Sequence, residues 1–147
     1  MIIYLDTSAL IKRYVRESGS DELNSLLAVA SLTGASVITW AEMAAATAKA
    51  KRMNFITSEE ADSAWRKFRS EWASLALIEV SSTLVIRAGD LAWDHGLRGY
   101  DSVHLASALM WQEALGERIR LAAFDHRLWE SAERLGLLVW PERLGRN

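Results

Sequence analysis

The chain has 147 residues, a net charge of −2 and no cysteine, and half of its residues are hydrophobic. This balance predicts one soluble globular domain over residues 1–147, and it excludes disulfides and thiolate metal ligands. No apolar run approaches the roughly 20 residues of a membrane helix, and the first residues show no signal-peptide pattern. We therefore expect a cytoplasmic protein with no membrane partner, and any nucleic-acid partner requires a local basic patch.

Short apolar segments alternate with helical patterns along the chain. This alternation predicts an α/β fold in which helices flank a parallel five-stranded sheet. The predicted strands, in chain order, are Ile2–Leu5, Ser36–Thr39, Leu75–Glu79, Arg120–Ala123 and Leu137–Val139.

Helices are predicted between these strands because apolar residues recur three or four positions apart. Ser20 is a possible N-cap of the helix that contains Leu23, and Thr57 with Glu60 forms a capping-box pattern ahead of Trp65, Phe68 and Trp72. Gly96 and Gly136 are expected to end two later helices, and the apolar helix Tyr100–Leu115 should be buried. Most of the seven tryptophans are expected in the core, although an exposed Trp111 or Trp129 could serve an interface.

Four acidic residues stand at the carboxyl side of predicted strands or at helix starts. Asp6 closes the first strand, Glu42 lies in the first turn of a helix, Asp101 opens the long apolar helix, and Asp125 follows the fourth strand. Ligands of parallel α/β sheets bind beyond the carboxyl ends of the strands. We therefore predict that these four side chains converge at one edge of the sheet.

Each acid has a simpler explanation when it is taken alone, because aspartate and glutamate commonly cap helices or occupy their first turn. A cluster of four is different, since two carboxylates about 4 Å apart repel by roughly 4 kcal/mol at an effective dielectric constant near 20. Basic side chains or proton uptake could relieve this repulsion, and a divalent cation does so most directly. Oxygen ligands favour Mg²⁺ or Mn²⁺ over zinc, and such a site suits phosphodiester hydrolysis.

Four motifs in this order resemble the PIN-domain nucleases, and within them the VapC-like toxins of type II toxin–antitoxin pairs. They are YLDTSALIKRY, ITWAEMAAATAK, GLRGYDSVHLASAL and LAAFDHRLWESAERLGL. The resemblance spans nearly the whole chain and implies a parallel five-stranded α/β fold. It further implies Mg²⁺- or Mn²⁺-dependent endonucleolytic cleavage of RNA, a cognate antitoxin and a homodimer.

The resemblance also assigns roles to individual residues. Asp6, Glu42 and Asp101 match the core metal-binding acids, Asp125 matches the fourth, more variable acid, and Ser8 matches a small polar position beside the first acid. The Ser8 hydroxyl, and similarly that of Thr7, could bond a carboxylate, and simple capping of the next helix explains both equally well. Ala123 departs from the family, which often has Thr or Ser there, and this predicts a less well oriented Asp125.

His104 lies one helical turn after Asp101 and is expected to be a packed histidine bonded to the backbone or to a neighbouring acid. A proton shuttle or a phosphate contact is the alternative. Three groups of basic residues are solvated surface unless they border one groove, where they would bind RNA phosphates. These groups are Lys12, Arg13 and Arg16; Lys49, Lys51 and Arg52; and Arg66, Lys67 and Arg69.

Three other functions stay open from the sequence. The first is a PIN nuclease outside any toxin pair, which acts in RNA processing or on DNA. The second is a phosphotransferase with Asp6 as the nucleophile, although such enzymes usually carry a second aspartate where this chain has Ser8. The third is a non-catalytic module that binds metal or nucleic acid.

Overall fold

In the computed structural model, which describes residues 1–145, five strands form one sheet between two layers of helices. The strands are β1 (Ile2–Leu5), β2 (Leu32–Ser36), β3 (Ala76–Ile78), β4 (Ile119–Ala122) and β5 (Leu138–Trp140). The helices are α1 (Thr7–Tyr14), α2 (Ser20–Ala28), α3 (Thr39–Arg52), α4 (Ser58–Glu71), α5 (Ser82–His95), α6 (Gly99–Leu115) and α7 (His126–Arg134). A 3₁₀ turn, Trp72–Ser74, follows α4. No helix within these residues is both long and apolar enough to cross a membrane.

The sheet is parallel throughout, and its strand order is β3-β2-β1-β4-β5. The central strand β1 pairs with β2 on one side and with β4 on the other, so that Ile2 lies opposite both Leu32 and Ile119. The chain builds outward from β1 to β3, then crosses back to place β4 and β5 on the other side. The strand order therefore reverses between β1 and β4, which is where parallel α/β folds bind ligands. The predicted fold class is confirmed.

Alternating residues of β1 belong to two separate hydrophobic cores, as the two-residue period of a strand requires. Ile3 and Leu5 pack with side chains from α1 to α4, among them Leu10, Leu23, Met43 and Phe68. Tyr4 packs on the opposite face with α6 and α7, where the core includes Leu105, Leu109, Leu128 and Ala132. Because the sheet is covered on both faces, the carboxyl ends of its strands are the edge left free for a ligand.

Several predicted helix features are confirmed. The Thr57 hydroxyl accepts from the Glu60 amide at 3.1 Å, and the Glu60 carboxylate accepts from the Thr57 amide at 3.2 Å. Gly96 ends α5 in the left-handed region, with φ of 64°. Helix α6 is buried along its middle, from His104 to Leu109. These elements needed no tertiary information, since caps and periodicity are local properties.

The predicted second strand, Ser36–Thr39, was wrong. The strand is Leu32–Ser36, and Thr39 opens α3. The β-branched pair Val37–Ile38 suggested a strand, but the backbone of 32–34 pairs with β1 and only the Val37 amide extends the contact with β3, donating to Ile78 at 3.1 Å. Tertiary pairing has overridden local propensity here. The third, fourth and fifth strands lie within one or two residues of their predicted bounds.

One smaller expectation was also wrong. Ser20 is the first residue of α2 rather than its N-cap, and Gly19 takes the cap position at φ 90°. The alternative of an exposed Trp111 or Trp129 at an interface does not apply, because neither side chain is exposed. Trp129 is buried and donates through its indole nitrogen to Pro141 O at 2.8 Å, whereas Trp111 is half-buried against β2.

The contact between Trp111 and Gly34 predicts that a side chain at position 34 destabilises the fold. A Cβ atom added to Gly34 would lie 2.6 Å from the Trp111 ring, which is closer than packed atoms can stand. We expect Gly34→Ala to lower the free energy of unfolding by about 1–3 kcal/mol, because an overpacked site must displace its neighbours. Urea denaturation checks this. Gly99→Ala, where an added Cβ meets no atom within 4 Å, serves as the control, and equal stabilities of the two variants would contradict the expectation.

Candidate active site

Four acidic side chains from four separate segments line one cavity of about 310 Å³. Asp6 and Asp125 are the N-cap residues of α1 and α7, and Glu42 and Asp101 lie in the first turns of α3 and α6. The other lining residues are Thr7, Ser8, Arg98 and Phe124. The cavity opens at the carboxyl ends of β1 and β4. The predicted convergence of the four acids is therefore present in the structure.

Asp6 is buried, with 4 % of its surface exposed, and its carboxylate is fixed from one side. Its Oδ2 accepts from the Ser8 amide at 3.1 Å and from the Ser8 hydroxyl at 2.5 Å. The Ser8 hydroxyl oxygen in turn accepts from the Phe124 amide at 2.9 Å. Ser8 thus ties the end of β1 to the loop after β4 and orients the first acid. The helix cap is supplied by Asp6 itself.

Glu42 is held by two neighbours at a single oxygen. The Thr7 hydroxyl donates to Glu42 Oε1 at 2.8 Å, and His104 Nε2 lies 2.5 Å from the same oxygen. Burial raises the pKa of Glu42, but the hydrogen bonds from His104 and Thr7 outweigh it, and the pKa lies below its ordinary value. Glu42 is therefore an ionised carboxylate whose orientation is set by side chains from α1 and α6.

His104 is fully buried beneath the cavity and contacts two of the acids. Its Nε2 lies 3.5 Å from Asp6 Oδ1, and its Nδ1 lies 2.8 Å from the Tyr4 hydroxyl oxygen. Burial lowers the pKa of His104, but the negative charges of Asp6 and Glu42 outweigh it and hold the pKa above its ordinary value. The expectation that His104 bonds a neighbouring acid is confirmed, since its ring contacts the carboxylates of both Glu42 and Asp6.

Arg98 bridges the other two acids across the mouth of the cavity. Its Nε donates to Asp101 Oδ2 at 2.9 Å, and its Nη2 donates to Asp125 Oδ2 at 3.0 Å. Burial raises the pKa of Asp101 above its ordinary value, although the hydrogen bond from Arg98 opposes this. Asp125 also accepts from the Leu128 amide at 3.0 Å through Oδ1. Asp125 is therefore oriented by two hydrogen bonds, although a hydroxyl is missing at the buried Ala123.

The donor set suits a hard divalent cation in its chemistry, because it consists of carboxylate oxygens from four segments. One oxygen each of Asp6, Glu42 and Asp101 (Oδ1, Oε2 and Oδ1) accepts no hydrogen bond from the part of the chain that the structure describes. No three His, Asp or Glu side chains within residues 1–145 stand ready to share an ion. A cation that binds Asp125 through Oδ2 must displace the guanidinium of Arg98, because Asp125 Oδ1 accepts from the Leu128 amide.

Comparison with known proteins identifies the family of this chain. The family model of the PIN domain matches residues 3–134. This chain belongs to the PIN-domain family. It is 35 % identical over 144 residues to the ribonuclease VapC45 of Mycobacterium tuberculosis (strain CDC 1551 / Oshkosh), and the match covers 97 % of both chains.

Solved structures give the same fold for this PIN domain. The structure of FitAB bound to an IR36 DNA fragment matches with a TM-score of 0.69 and 18 % identity, and it covers 99 % of both chains. The crystal structure of VapBC2 from Rickettsia felis, bound to a DNA fragment from their promoter, matches with a TM-score of 0.61 and 19 % identity. That match covers 95 % of this chain and 97 % of the other. At these low sequence identities the likeness shows a shared fold and nothing more.

Two residues of the PIN-domain site were missed from the sequence. Arg98 stands three residues before Asp101 at the start of a helix, a spacing that predicts an ion pair. Its second partner, Asp125, is 27 residues away and has no local signal. Tyr4 lies among the apolar residues of β1, and the sequence pattern gives no sign that its hydroxyl has a polar role. In the structure this hydroxyl accepts from the Ser36 amide at 3.2 Å and contacts His104.

The first group of basic residues, on α1 and just after it, is paired with acids of this PIN domain. Lys12 pairs with Glu17 at 3.0 Å, Arg13 with Glu71 at 2.7 Å and Arg16 with Asp21 at 3.0 Å. By contrast, the other two predicted groups form no ion pair with residues 1–145. They lie near the end of α3 (Lys49, Lys51 and Arg52) and along α4 (Arg66, Lys67 and Arg69). These two groups are the better candidates for RNA phosphate contacts.

Proposed function

We propose that this PIN domain is a Mg²⁺- or Mn²⁺-dependent endoribonuclease and the toxin of a VapBC-type toxin–antitoxin pair. The observation that carries the proposal is the convergence of Asp6, Glu42, Asp101 and Asp125 on one cavity. The 35 % identity to a ribonuclease VapC over 97 % of both chains supports RNA as the substrate class. The four acids are the proposed metal ligands, and Ser8 is the proposed orienting residue of the catalytic set.

A divalent cation in such a site supplies an activated water and stabilises negative charge on the phosphate oxygens. The residues of this chain provide the fixed negative charge that such an ion needs. Ser8 and His104 hold Asp6, while Thr7 and His104 hold Glu42, so these two carboxylates have little rotational freedom to lose on binding. Asp101 and Asp125 complete the set from the opposite wall of the cavity.

The hydroxyl groups near the acids favour this hydrolytic proposal over a covalent one. Thr7 and Ser8 both donate to carboxylates, so neither presents a free nucleophile to a substrate. Asp6 has one oxygen bonded twice by Ser8 and the other facing His104. A phosphotransferase that uses Asp6 as its nucleophile would need that carboxylate to be accessible, and its side chain is only 6 % exposed.

The test of the proposed function is RNA cleavage by the purified chain under metal control. We expect cleavage with Mg²⁺ or Mn²⁺, none after chelation by EDTA, and recovery when the metal is restored in excess. Cleavage that persists in EDTA would remove the proposed metal dependence. Metal binding without cleavage of any RNA tested would favour a non-catalytic binding module.

A protein antitoxin is the proposed partner, and its support is the match to structures of VapBC2 and of FitAB. Exposed apolar side chains of α5 and of the first turn of α6, notably Ile86 at 69 %, Trp93 at 90 % and Tyr100 at 67 %, provide surface that a protein partner can cover. We expect a small reading frame beside the gene, and growth arrest on expression that its product relieves. Arrest that no neighbouring product relieves would favour a PIN nuclease outside a toxin pair.

The predicted homodimer is tested by light scattering.

The Ser8 hydroxyl gives a prediction about orientation within the site. Ser8→Ala removes the bond to Asp6 and leaves the Phe124 amide without its acceptor. Because groups that orient metal ligands are each worth about 10- to 100-fold in metal affinity or activity, we expect a Mn²⁺ affinity at least tenfold weaker. Isothermal titration calorimetry measures this. Ser25→Ala, which removes a surface hydroxyl bonded to its own helix, is the control, and unchanged affinity in Ser8→Ala would contradict the orienting role.

A further inference from the structure

The side chain of Arg98 is 75 % exposed, and it binds two carboxylates of one cavity. The bridged acids lie on different helices, with Asp101 on α6 and Asp125 at the start of α7. Their side chains are only 16 % and 28 % exposed. The guanidinium therefore lines the cavity and supplies positive charge to both acids.

The ion pairs of Arg98 with Asp101 and Asp125 can be broken at little cost in stability. An exposed ion pair contributes little to stability, because water solvates the charges nearly as well as the partners do. Arg98 is the N-cap of α6, but its side chain makes no capping hydrogen bond, so its movement would leave the helix end unchanged. By contrast, Asp6 and Glu42 are tied by Ser8, Thr7 and the buried His104. Asp6 and Glu42 are thus held by buried or half-buried neighbours, whereas Asp101 and Asp125 share an exposed cation.

At Asp125, the oxygen that Arg98 holds is also the one that a cation would use. Both of its hydrogen bonds end on Oδ2 atoms, of Asp101 and of Asp125, and Asp125 Oδ1 is committed to the Leu128 amide. A metal that recruits Asp125 through a free oxygen must therefore take the place of the guanidinium. Once it is released, a planar guanidinium at the mouth of the cavity matches the geometry of a phosphate.

We propose that Arg98 is a displaceable internal cation: it neutralises Asp101 and Asp125 in the metal-free protein, and it binds a phosphate of the RNA substrate after a metal has displaced it. The inference rests on the proposed function, since it concerns the same metal site. On this inference Arg98 weakens the binding of the metal, because it competes for the carboxylates, and strengthens the binding of RNA. A residue that only oriented Asp101 would strengthen the binding of both.

The test measures Mn²⁺ binding by isothermal titration calorimetry without any substrate, on the wild-type chain, Arg98→Gln and Arg98→Lys. We expect Arg98→Gln to bind Mn²⁺ about 3- to 10-fold more tightly, because exposed pairs with two carboxylates no longer compete. Arg98→Lys should lie between the two. Arg87→Gln is the matched control, since Arg87 also pairs with a carboxylate, that of Glu113 at 2.7 Å, but does not line the cavity.

The second arm measures RNA cleavage by the same proteins at saturating Mn²⁺. Arg98→Gln should raise KM more than it lowers kcat, and the slope of log(kcat/KM) against log salt should flatten by about one. Equal or weaker Mn²⁺ binding by Arg98→Gln, beside a wild-type chain that binds Mn²⁺, would overturn the inference and leave the proposed function intact. A wild-type chain that binds no Mn²⁺ would overturn both.

Discussion

Replacing Asp6 with asparagine is expected to reduce RNA cleavage at least about 100-fold while the chain stays folded. Asp6 follows β1 at the point where the strand order reverses between β1 and β4, and it is the most buried of the four acids. Groups that merely orient a metal ligand are worth about 10- to 100-fold, so the loss of a ligand's charge should cost more. Asparagine keeps the shape and still accepts the Ser8 amide as a helix cap. The change therefore removes charge and little else.

The control for this prediction is Asp21→Asn, which removes the same charge from an exposed ion pair with Arg16. Both variants are assayed with wild-type protein on one RNA, over a range of Mn²⁺ concentrations, and their folding is checked by circular dichroism. We expect Asp21→Asn to cleave like the wild type. Cleavage by Asp6→Asn at the wild-type rate would show that this carboxylate takes no part in catalysis.

Replacing His104 with alanine is expected to lower the free energy of unfolding by about 3–5 kcal/mol, because buried hydrogen-bonding groups lose their partner and the core loses a packed side chain. The variant leaves the Tyr4 hydroxyl and the Glu42 carboxylate without their buried partner and removes the imidazole that lies 3.5 Å from Asp6 Oδ1. It also opens a cavity at a position with no solvent exposure. These effects act in the same direction, so this change should destabilise the chain more than Gly34→Ala does.

Urea denaturation without divalent cations measures this effect. His95→Ala, at the end of α5 and outside the cavity lining, should change the stability by less than about 1 kcal/mol. Added Mg²⁺ is expected to recover part of the loss in His104→Ala, because an ion that binds only the folded chain stabilises it. A loss in His104→Ala no larger than that of the control would mean that the contacts of His104 with Tyr4 and the acids do not stabilise the fold.

The sequence predicted the parts of this fold that depend on local patterns. The alternation of strands and helices gave the parallel five-stranded sheet, and the capping box at Thr57 and Glu60 was found where predicted. The second strand was misplaced because pairing with β1, and not the local sequence, decides which residues form it. Gly34 has poor strand propensity, but its missing side chain leaves room for the Trp111 ring against the sheet. No property of residues 32–39 alone indicates which half pairs with β1.

The four acids could be predicted because each follows a strand or opens a helix, and such positions meet at one edge of a parallel sheet. What compensates their charge could not be predicted. The sequence suggested that a metal would do so most directly, yet the structure also places His104 and Arg98 against the acids. These contacts join residues as far as 98 positions apart (Asp6 to His104). Long-range pairing of this kind has no signature in a single sequence.

The most direct test of the account is a crystal of this chain soaked in Mn²⁺, with anomalous diffraction measured to locate the ion. We expect an anomalous peak within about 2.5 Å of carboxylate oxygens of Asp6 and of at least one of Glu42, Asp101 and Asp125, with the guanidinium of Arg98 moved away from Asp125. A fully soaked crystal that shows no peak in this cavity, with Arg98 still bridging Asp101 and Asp125, would contradict the claim that the four acids form a metal site.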